Sequence, residues 1–71
     1  MDRVMLEQRL ALAERHVEEG KQHVEAQCAL VRELEGDGHD TTEALRLLGQ
    51  FEEMLAMHRS DRDRILGELG R

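Results

Sequence analysis

Three histidines stand at spacings that could bring their side chains together. His16 and His23 lie seven residues apart, which is two helical turns, so both belong to one side of a helix. His58 comes from a later segment that we expect to fold back against them. Imidazole is a common ligand of zinc, and it changes charge near pH 6.5. His16, His23 and His58 are therefore the candidates for a metal site or a pH-sensitive contact.

The spacing of these histidines argues against a metal. Residues seven apart in a helix are separated by about 10.5 Å, which is long for two rings that must each reach an ion at about 2.0–2.1 Å. The Glu-x-x-His motif of di-iron bundles is absent, since Ala13, Gly20 and Leu55 stand three residues before the histidines. We predict locally packed rings and no metal or other cofactor. The alternative is a metal- or pH-responsive helical bundle that uses these histidines, and in the pH-responsive form protonation weakens the assembly.

The sequence carries no pattern that indicates catalysis. Cys28 is the single cysteine, so it cannot form an intramolecular disulfide, and no histidine or aspartate stands where it would activate the thiol. We predict that Cys28 is a small buried apolar residue. Phosphate-binding loops, nucleophile elbows and HExxH motifs are missing. We therefore predict no enzyme activity, and the free thiol favours a cytoplasmic location.

Charge excludes two classes of partner. The 71 residues include 16 acidic and 10 basic side chains, which give a net charge of −6. They are interleaved along the chain, and they form no basic patch of the kind that binds nucleic acid or an anionic membrane. A charged fraction of 37% without any proline is typical of long solvated helices.

Apolar residues recur at alternating spacings of three and four along two segments. This pattern is the core of a coiled coil. We predict a helix over residues 2–35, a turn at 36–39 and a second helix over 40–69. The predicted core positions are Leu6, Leu10, Ala13, Val17, Gly20, Val24, Gln27, Val31 and Leu34 in the first helix, and Ala44, Leu48, Phe51, Leu55, His58, Arg62, Ile65 and Leu69 in the second. The fold class is all-α, an antiparallel two-helix hairpin.

Local signals mark the turn. Gly36 follows the last apolar position, and we predict that it closes the first helix in the left-handed conformation. Gly38 adds a second permissive position. Asp40 is the predicted N-cap of the second helix, with Glu43 reaching back to its N–H group as in a capping box.

Folding the chain at this turn predicts a register. Gly20 lies opposite His58, where the missing side chain makes room for the imidazole. Gln27 lies opposite Phe51, and Ala13 lies opposite Ile65. A glycine in a helix interior costs about 1 kcal/mol, so this register gives Gly20 a packing reason.

The apolar stripe is wider than two helices can cover. We predict an interface at its turn-proximal half, where most of the excess lies: Leu30, Val31, Leu34, Leu45, Leu47, Leu48, Phe51, Met54 and Leu55. The economical solution is a homodimer that forms a four-helix bundle. The alternatives are another helical protein as partner, or an accessory subunit that folds on a larger protein. Either way, we predict an interaction or regulatory module that acts through helix–helix packing.

Several runs of residues add a resemblance. They are His16-Val17-x-x-Gly20-x-x-His23-Val24-x-x-Gln27, then Leu30-Val31-x-x-Leu34-Glu35-x-Asp37-Gly38-His39-Asp40-Thr41, and later Phe51-Glu52, His58 and Asp61-Arg62-Asp63-Arg64. These runs resemble a group of short uncharacterised helical-hairpin proteins of alphaproteobacteria. The resemblance covers roughly residues 10–69. It implies a small helical protein, and it implies no activity.

Overall fold

The chain folds as a helical hairpin. The computed structural model describes residues 2–71, which form two helices, α1 (Arg3–Gly36) and α2 (Thr42–Glu68), and no strand. The helices pack antiparallel, and the molecule is 53 Å long. The predicted all-α class is confirmed, and each observed helix end lies within two residues of the predicted one.

The three-and-four spacing explains which residues the hairpin buries. The buried apolar side chains occupy predicted core positions of both helices: Leu6, Leu10, Ala13, Val17, Val31, Leu55, Ile65 and Leu69. A helix keeps such positions on one stripe, so each stripe faces the other helix. The α1 start is fixed by Asp2, whose carboxylate accepts the Val4 N–H at 3.0 Å.

The turn uses a different glycine from the one predicted. Gly36 is still helical, and the left-handed residue is Gly38, with φ of 75°. Beyond α1, the His39 N–H donates to the Leu34 carbonyl at 2.9 Å, and the Gly38 N–H donates to the Glu35 carbonyl at 3.1 Å. These bonds satisfy carbonyls at the helix end. The prediction for Gly36 is wrong because α1 continues past its last core position.

Thr41, and not Asp40 as we predicted, is the N-cap residue of α2. Asp40 nevertheless stabilises the start of the helix. Its carboxylate accepts the Thr42 N–H at 3.0 Å and the Thr42 hydroxyl at 2.8 Å. These bonds favour the charged form and hold the pKa of Asp40 below its ordinary value of 3.8. Glu43 does not complete the predicted capping box, because its carboxylate pairs with Arg46.

The register differs from the predicted one by about a helical turn. The backbone of Gly20 faces Leu55, because a Cβ built on Gly20 would lie 3.1 Å from Leu55 Cδ1. His58 instead lies beside His16. Phe51, which we predicted opposite Gln27, lies beside His23. The glycine still admits a large side chain, but the side chain is a leucine.

The two ends of the hairpin bury different residues. The apolar core cluster lies at the open end, where Leu6, Leu10 and Ala13 meet Ile65 and Leu69. An ion pair between Glu7 and Arg71, at 2.5 Å, joins the two helices there. Toward the turn, buried Gln27 donates from Nε2 to the Ala44 carbonyl at 2.9 Å. No helix in the described part of the chain is long and apolar enough to cross a membrane.

Candidate interaction face

The hairpin has two broad faces, and one of them is grooved. The largest groove, of about 400 Å³, lies beside the turn between α1 and α2. We call it the turn groove. Its apolar lining comes from Leu30 and Leu34 of α1 and from Ala44 and Leu47 of α2. Gln27 closes it toward the middle of the hairpin.

A second groove, of about 140 Å³, lies at mid-length on the same face. His16, His23, Phe51, Met54 and His58 are among its lining residues. The His16 and His58 ring centroids are 5.0 Å apart, and those of His23 and Phe51 are 5.4 Å apart. The absent side chain at Gly20 lets Leu55 approach α1 beneath these rings.

A third groove, of about 180 Å³, continues the same face toward the open end. Arg9 and Leu12 of α1 line it together with Asp61 and Arg64 of α2. Asp61 and Arg64 form an ion pair at 3.2 Å. The three grooves lie on the same side of both helices, and we call this side the grooved face.

Exposed apolar side chains concentrate on the grooved face. Eight large ones are exposed among the described residues: Val4, Met5, Leu12, Leu30, Leu45, Leu47, Met54 and Met57. Four of these line the grooves. Met5 lies seven residues before Leu12, and Met57 lies three after Met54, so both share their side of the helix. Only Val4 and Leu45 project elsewhere.

The opposite broad face, which we call the charged face, has another composition. At 100° per residue, Leu45 lies across α2 from Leu47 and belongs to this face. By the same spacing, most residues around it are charged: Glu7, Glu14, Glu18, Lys21, Glu25, Arg32, Glu35, Glu52 and Arg59. Leu45 is therefore an isolated exposed leucine, which is ordinary for a protein surface.

The nine predicted interface residues divide by burial. Val31 and Leu55 are buried within the hairpin, so they serve its own core. The half-buried residues of the set are Leu34, Leu48 and Phe51. The exposed ones are Leu30, Leu45, Leu47 and Met54. Three of those four lie on the grooved face, and they remain available to a partner.

Sequence reasoning missed part of this surface. Met5, Leu12 and Met57 were left out of the predicted interface, yet they are half or more exposed, at 52%, 50% and 65%. The apolar excess therefore runs the whole length of the hairpin and is not confined to its turn-proximal half. Their position on the same side of the helices was the available signal, since Leu12 lies 18 residues, or about five helical turns, before Leu30, and Met57 lies three residues after Met54.

The structure brings together two of the three candidate histidines. His16 and His58 are neighbours across the helices, while His23 packs against Phe51. Within the described residues, no three His, Cys, Asp or Glu side chains converge as metal ligands would. Cys28 is a half-buried free thiol. The arrangement presents ring surfaces to a groove.

Comparison of the chain with protein-family models, curated proteins and solved structures finds no match. The resemblance to alphaproteobacterial hairpin proteins therefore stays a prediction, and the function is argued from the grooved face alone.

Proposed function

We propose that this chain is a non-enzymatic interaction module that pairs with a second copy of itself through the grooved face. The pair is a four-helix bundle in which two hairpins lie face to face. The observation that carries the proposal is the one-sided distribution of exposed apolar side chains. Six of the eight among residues 2–71 lie on the grooved face, and a contiguous apolar surface of this kind marks a protein contact.

The size of the grooved face supports a second copy as the occupant. The hairpin measures 53 by 15 Å across its broad face, which is roughly 800 Å². A standard protein interface buries about 800 Å² on each partner. A second hairpin has the same length and the same apolar stripe, so it covers the whole face without leaving an uncovered end. Four-helix bundles form by this packing of helical pairs.

Two other occupants compete with the second copy. One is a helix of another protein laid along the grooves, and the other is a larger protein on which this chain folds as an accessory subunit. Both leave the isolated chain monomeric. The accessory subunit in addition requires that the isolated chain be only partly helical. In the proposed dimer, the charged face lies outward, and this face carries the regulatory role.

A pair of matched variants tests the proposal. Leu47→Glu places a carboxylate in the turn groove of the grooved face, where pairing would bury it without a partner. Leu45→Glu makes the same change two residues away on the charged face. We expect Leu47→Glu to raise the dissociation constant of the dimer at least about tenfold, equivalent to about 1.4 kcal/mol, and Leu45→Glu to leave it within about threefold. Analytical ultracentrifugation measures both. Equal effects of the two variants would refute the assignment of the face.

A second candidate function is a pH-responsive bundle, favoured by the contact of His16 with His58 on the same face. Protonation of both rings would place two like charges at 5.0 Å between ring centroids, in a surface that pairing removes from water. The surrounding charges are of both signs: Arg9, Glu19, Asp61, Arg62 and Arg64. Asp61 and Arg62 already pair with Arg64 and Asp63, while Glu19 lines the same groove as the rings. We therefore assign the sign of the response to the cost of burying charged rings on pairing.

The pH response has a direct measurement. We expect the dimer dissociation constant to rise between pH 7.5 and pH 5, because the charged histidines oppose pairing. The double variant His16→Gln with His58→Gln should show a smaller rise, with His39→Gln in the exposed turn as the control. A dissociation constant that stays constant over this range would exclude the response.

A further inference from the structure

We propose that the two copies pair turn-to-tail, so that the turn of each hairpin lies over the open end of the other. This inference rests on the proposed dimer and adds its orientation. A face-to-face pair has two symmetric arrangements. In the turn-to-turn arrangement both turns lie at one end of the bundle, and in the turn-to-tail arrangement they lie at opposite ends.

The positions of the protruding side chains and of the turn groove favour turn-to-tail. The midpoint of α1 (Arg3–Gly36) falls between Glu19 and Gly20, so full overlap places the two-fold axis there. Rotation about this axis brings Leu12 of one copy to the level of Gln27 in the other. It brings Met5 to the level of Leu34. Gln27 and Leu34 both line the turn groove.

The match is one of shape as well as of level. Met5 and Leu12 are about half exposed, at 52% and 50%, and they project as two knobs spaced by two helical turns. The turn groove offers about 400 Å³ over a stretch of α1 of the same length, from Gln27 to Leu34. The turn end of the hairpin therefore supplies the space, and the open end supplies the side chains to fill it. In such bundles, apolar side chains of one helix pair usually fill the gaps on the facing pair.

The turn-to-turn arrangement lacks this complementarity. It lays the turn groove of one copy over the turn groove of the other. Met5 and Leu12 then lie opposite the open end of the other copy and away from its turn groove.

The residues at the middle of the grooved face are consistent with the same two-fold axis. Met54 and Met57 lie near the midpoint of α2 (Thr42–Glu68), so each meets the methionines of the other copy, and methionine side chains adapt to such contacts. His16 of each copy reaches the level of His23 in the other. The arrangement therefore gathers the histidines of both chains at the centre of the interface.

Distances between spin labels distinguish the two arrangements. In a Cys28→Ala background, His39→Cys places a label in the turn. Turn-to-tail pairing separates the two labels by nearly the hairpin length of 53 Å. Turn-to-turn pairing brings them within about 20–30 Å, the thickness of two helix layers about 10 Å apart with their labels. Gln22→Cys, at mid-length on the outer surface, is the control, because both arrangements predict about 20–30 Å for it.

The distances between the labels, measured by double electron–electron resonance, distinguish three outcomes. A long distance at position 39 with a short one at position 22 supports turn-to-tail pairing. Short distances at both positions overturn the orientation while leaving the dimer standing. Absence of any dipolar signal at both positions, together with the mass of a single chain at the same concentration, overturns the dimer and the orientation with it.

Discussion

The two ends of the hairpin bury their surfaces in different ways. At the open end, Ile65 and Leu69 close on Leu6 and Leu10 in an apolar cluster. At the turn end, Gln27 and Val31 are the buried side chains, and the turn groove remains between the helices. One end therefore has a closed apolar cluster, and the other keeps an open groove.

The difference indicates which part of the molecule holds the fold and which part awaits a partner. A chain of 71 residues draws only about 3–5 kcal/mol from a single core. The open-end cluster supplies this stability within one hairpin. The turn end keeps its unfilled apolar volume for intermolecular contact. Substitutions at the two ends should accordingly act on different quantities, the free energy of unfolding and the dissociation constant.

The largest effect is expected from Ile65→Ala, which removes a 3% exposed side chain from the open-end cluster. Deleting a buried isoleucine costs about 2–5 kcal/mol. Leu34→Ala at the turn groove, where the side chain is half-buried, should cost less and should weaken pairing instead. Urea denaturation at one protein concentration measures the free energy of unfolding for both. A larger loss for Leu34→Ala would reverse the comparison of the ends.

The middle layer, where the two ends meet, is tested by Gly20→Leu. A Cβ at this position lies 3.1 Å from Leu55 Cδ1, so a leucine overpacks the contact and should cost about 1–3 kcal/mol. Gly20→Ala is the control, since the end of the Leu55 side chain can move and alanine is about 1 kcal/mol better in a helix. We expect the alanine variant to match the parent in thermal melting. Equal melting of the leucine variant would show the register to be wrong.

The turn end is tested by Gln27→Ala, which removes the hydrogen bond to the Ala44 carbonyl and the packing of the buried amide. We expect a loss of about 1–2 kcal/mol, the sum of a net hydrogen bond and lost contacts. Gln22→Ala removes an exposed glutamine from the same helix and should stay within about 0.5 kcal/mol. If Gln27→Ala also melted like the parent, the buried amide would not hold the turn end.

The smallest effect is expected at Asp40, which holds only the start of α2. Asp40→Ala should lower the melting temperature at pH 7, because Thr42 loses its acceptor. The pKa of Asp40 is lowered in the folded chain, so its contribution is present above the ordinary value of 3.8 and is lost as the pH falls through the lowered folded pKa. The difference between parent and variant should therefore shrink below about pH 3.8.

Asp37→Ala is the matched control for Asp40. It removes a second exposed carboxylate from the same connection without touching the bonds to Thr42. Its melting temperature should follow that of the parent across the pH range. A pH-dependent difference of the same size at both positions would mean that general charge, and not the capping bonds, produces the effect.

The helices could be predicted from the sequence because their signal is periodic. Positions such as Leu10, Val17 and Val31 repeat the same spacing, so the pattern survives several polar interruptions. The register could not be read in the same way, since a heptad pattern aligns equally well after a slide of about one turn. The pairings of Gly20 with Leu55 and of Gln27 with the Ala44 carbonyl distinguish the two alignments. Both depend on side-chain geometry that spacing alone does not carry.

The sequence identified only part of the grooved face. Leu30, Leu47 and Met54 stood out because they flank core positions near the turn, and they lie exposed on the grooved face. Leu12 and Met5 add apolar surface near the N-terminus, but they were left out of the predicted interface because most of the excess lies near the turn. Their importance emerges only when the turn groove and the open end are seen on one face. The sequence placed His58 between His16 and His23, and the structure keeps only the contact with His16, because the different register puts Phe51 beside His23.

The central claim is that a second copy covers the grooved face. Light scattering over a concentration series, with far-UV circular dichroism on the same samples, tests it most directly. The account predicts a fully helical species of twice the 8.2 kDa chain mass that persists to low micromolar concentration. A species with the mass of one chain throughout the series would contradict it. Full helicity of that monomer would indicate a hairpin that needs no partner to fold, and partial helicity would indicate an accessory subunit that folds on another protein.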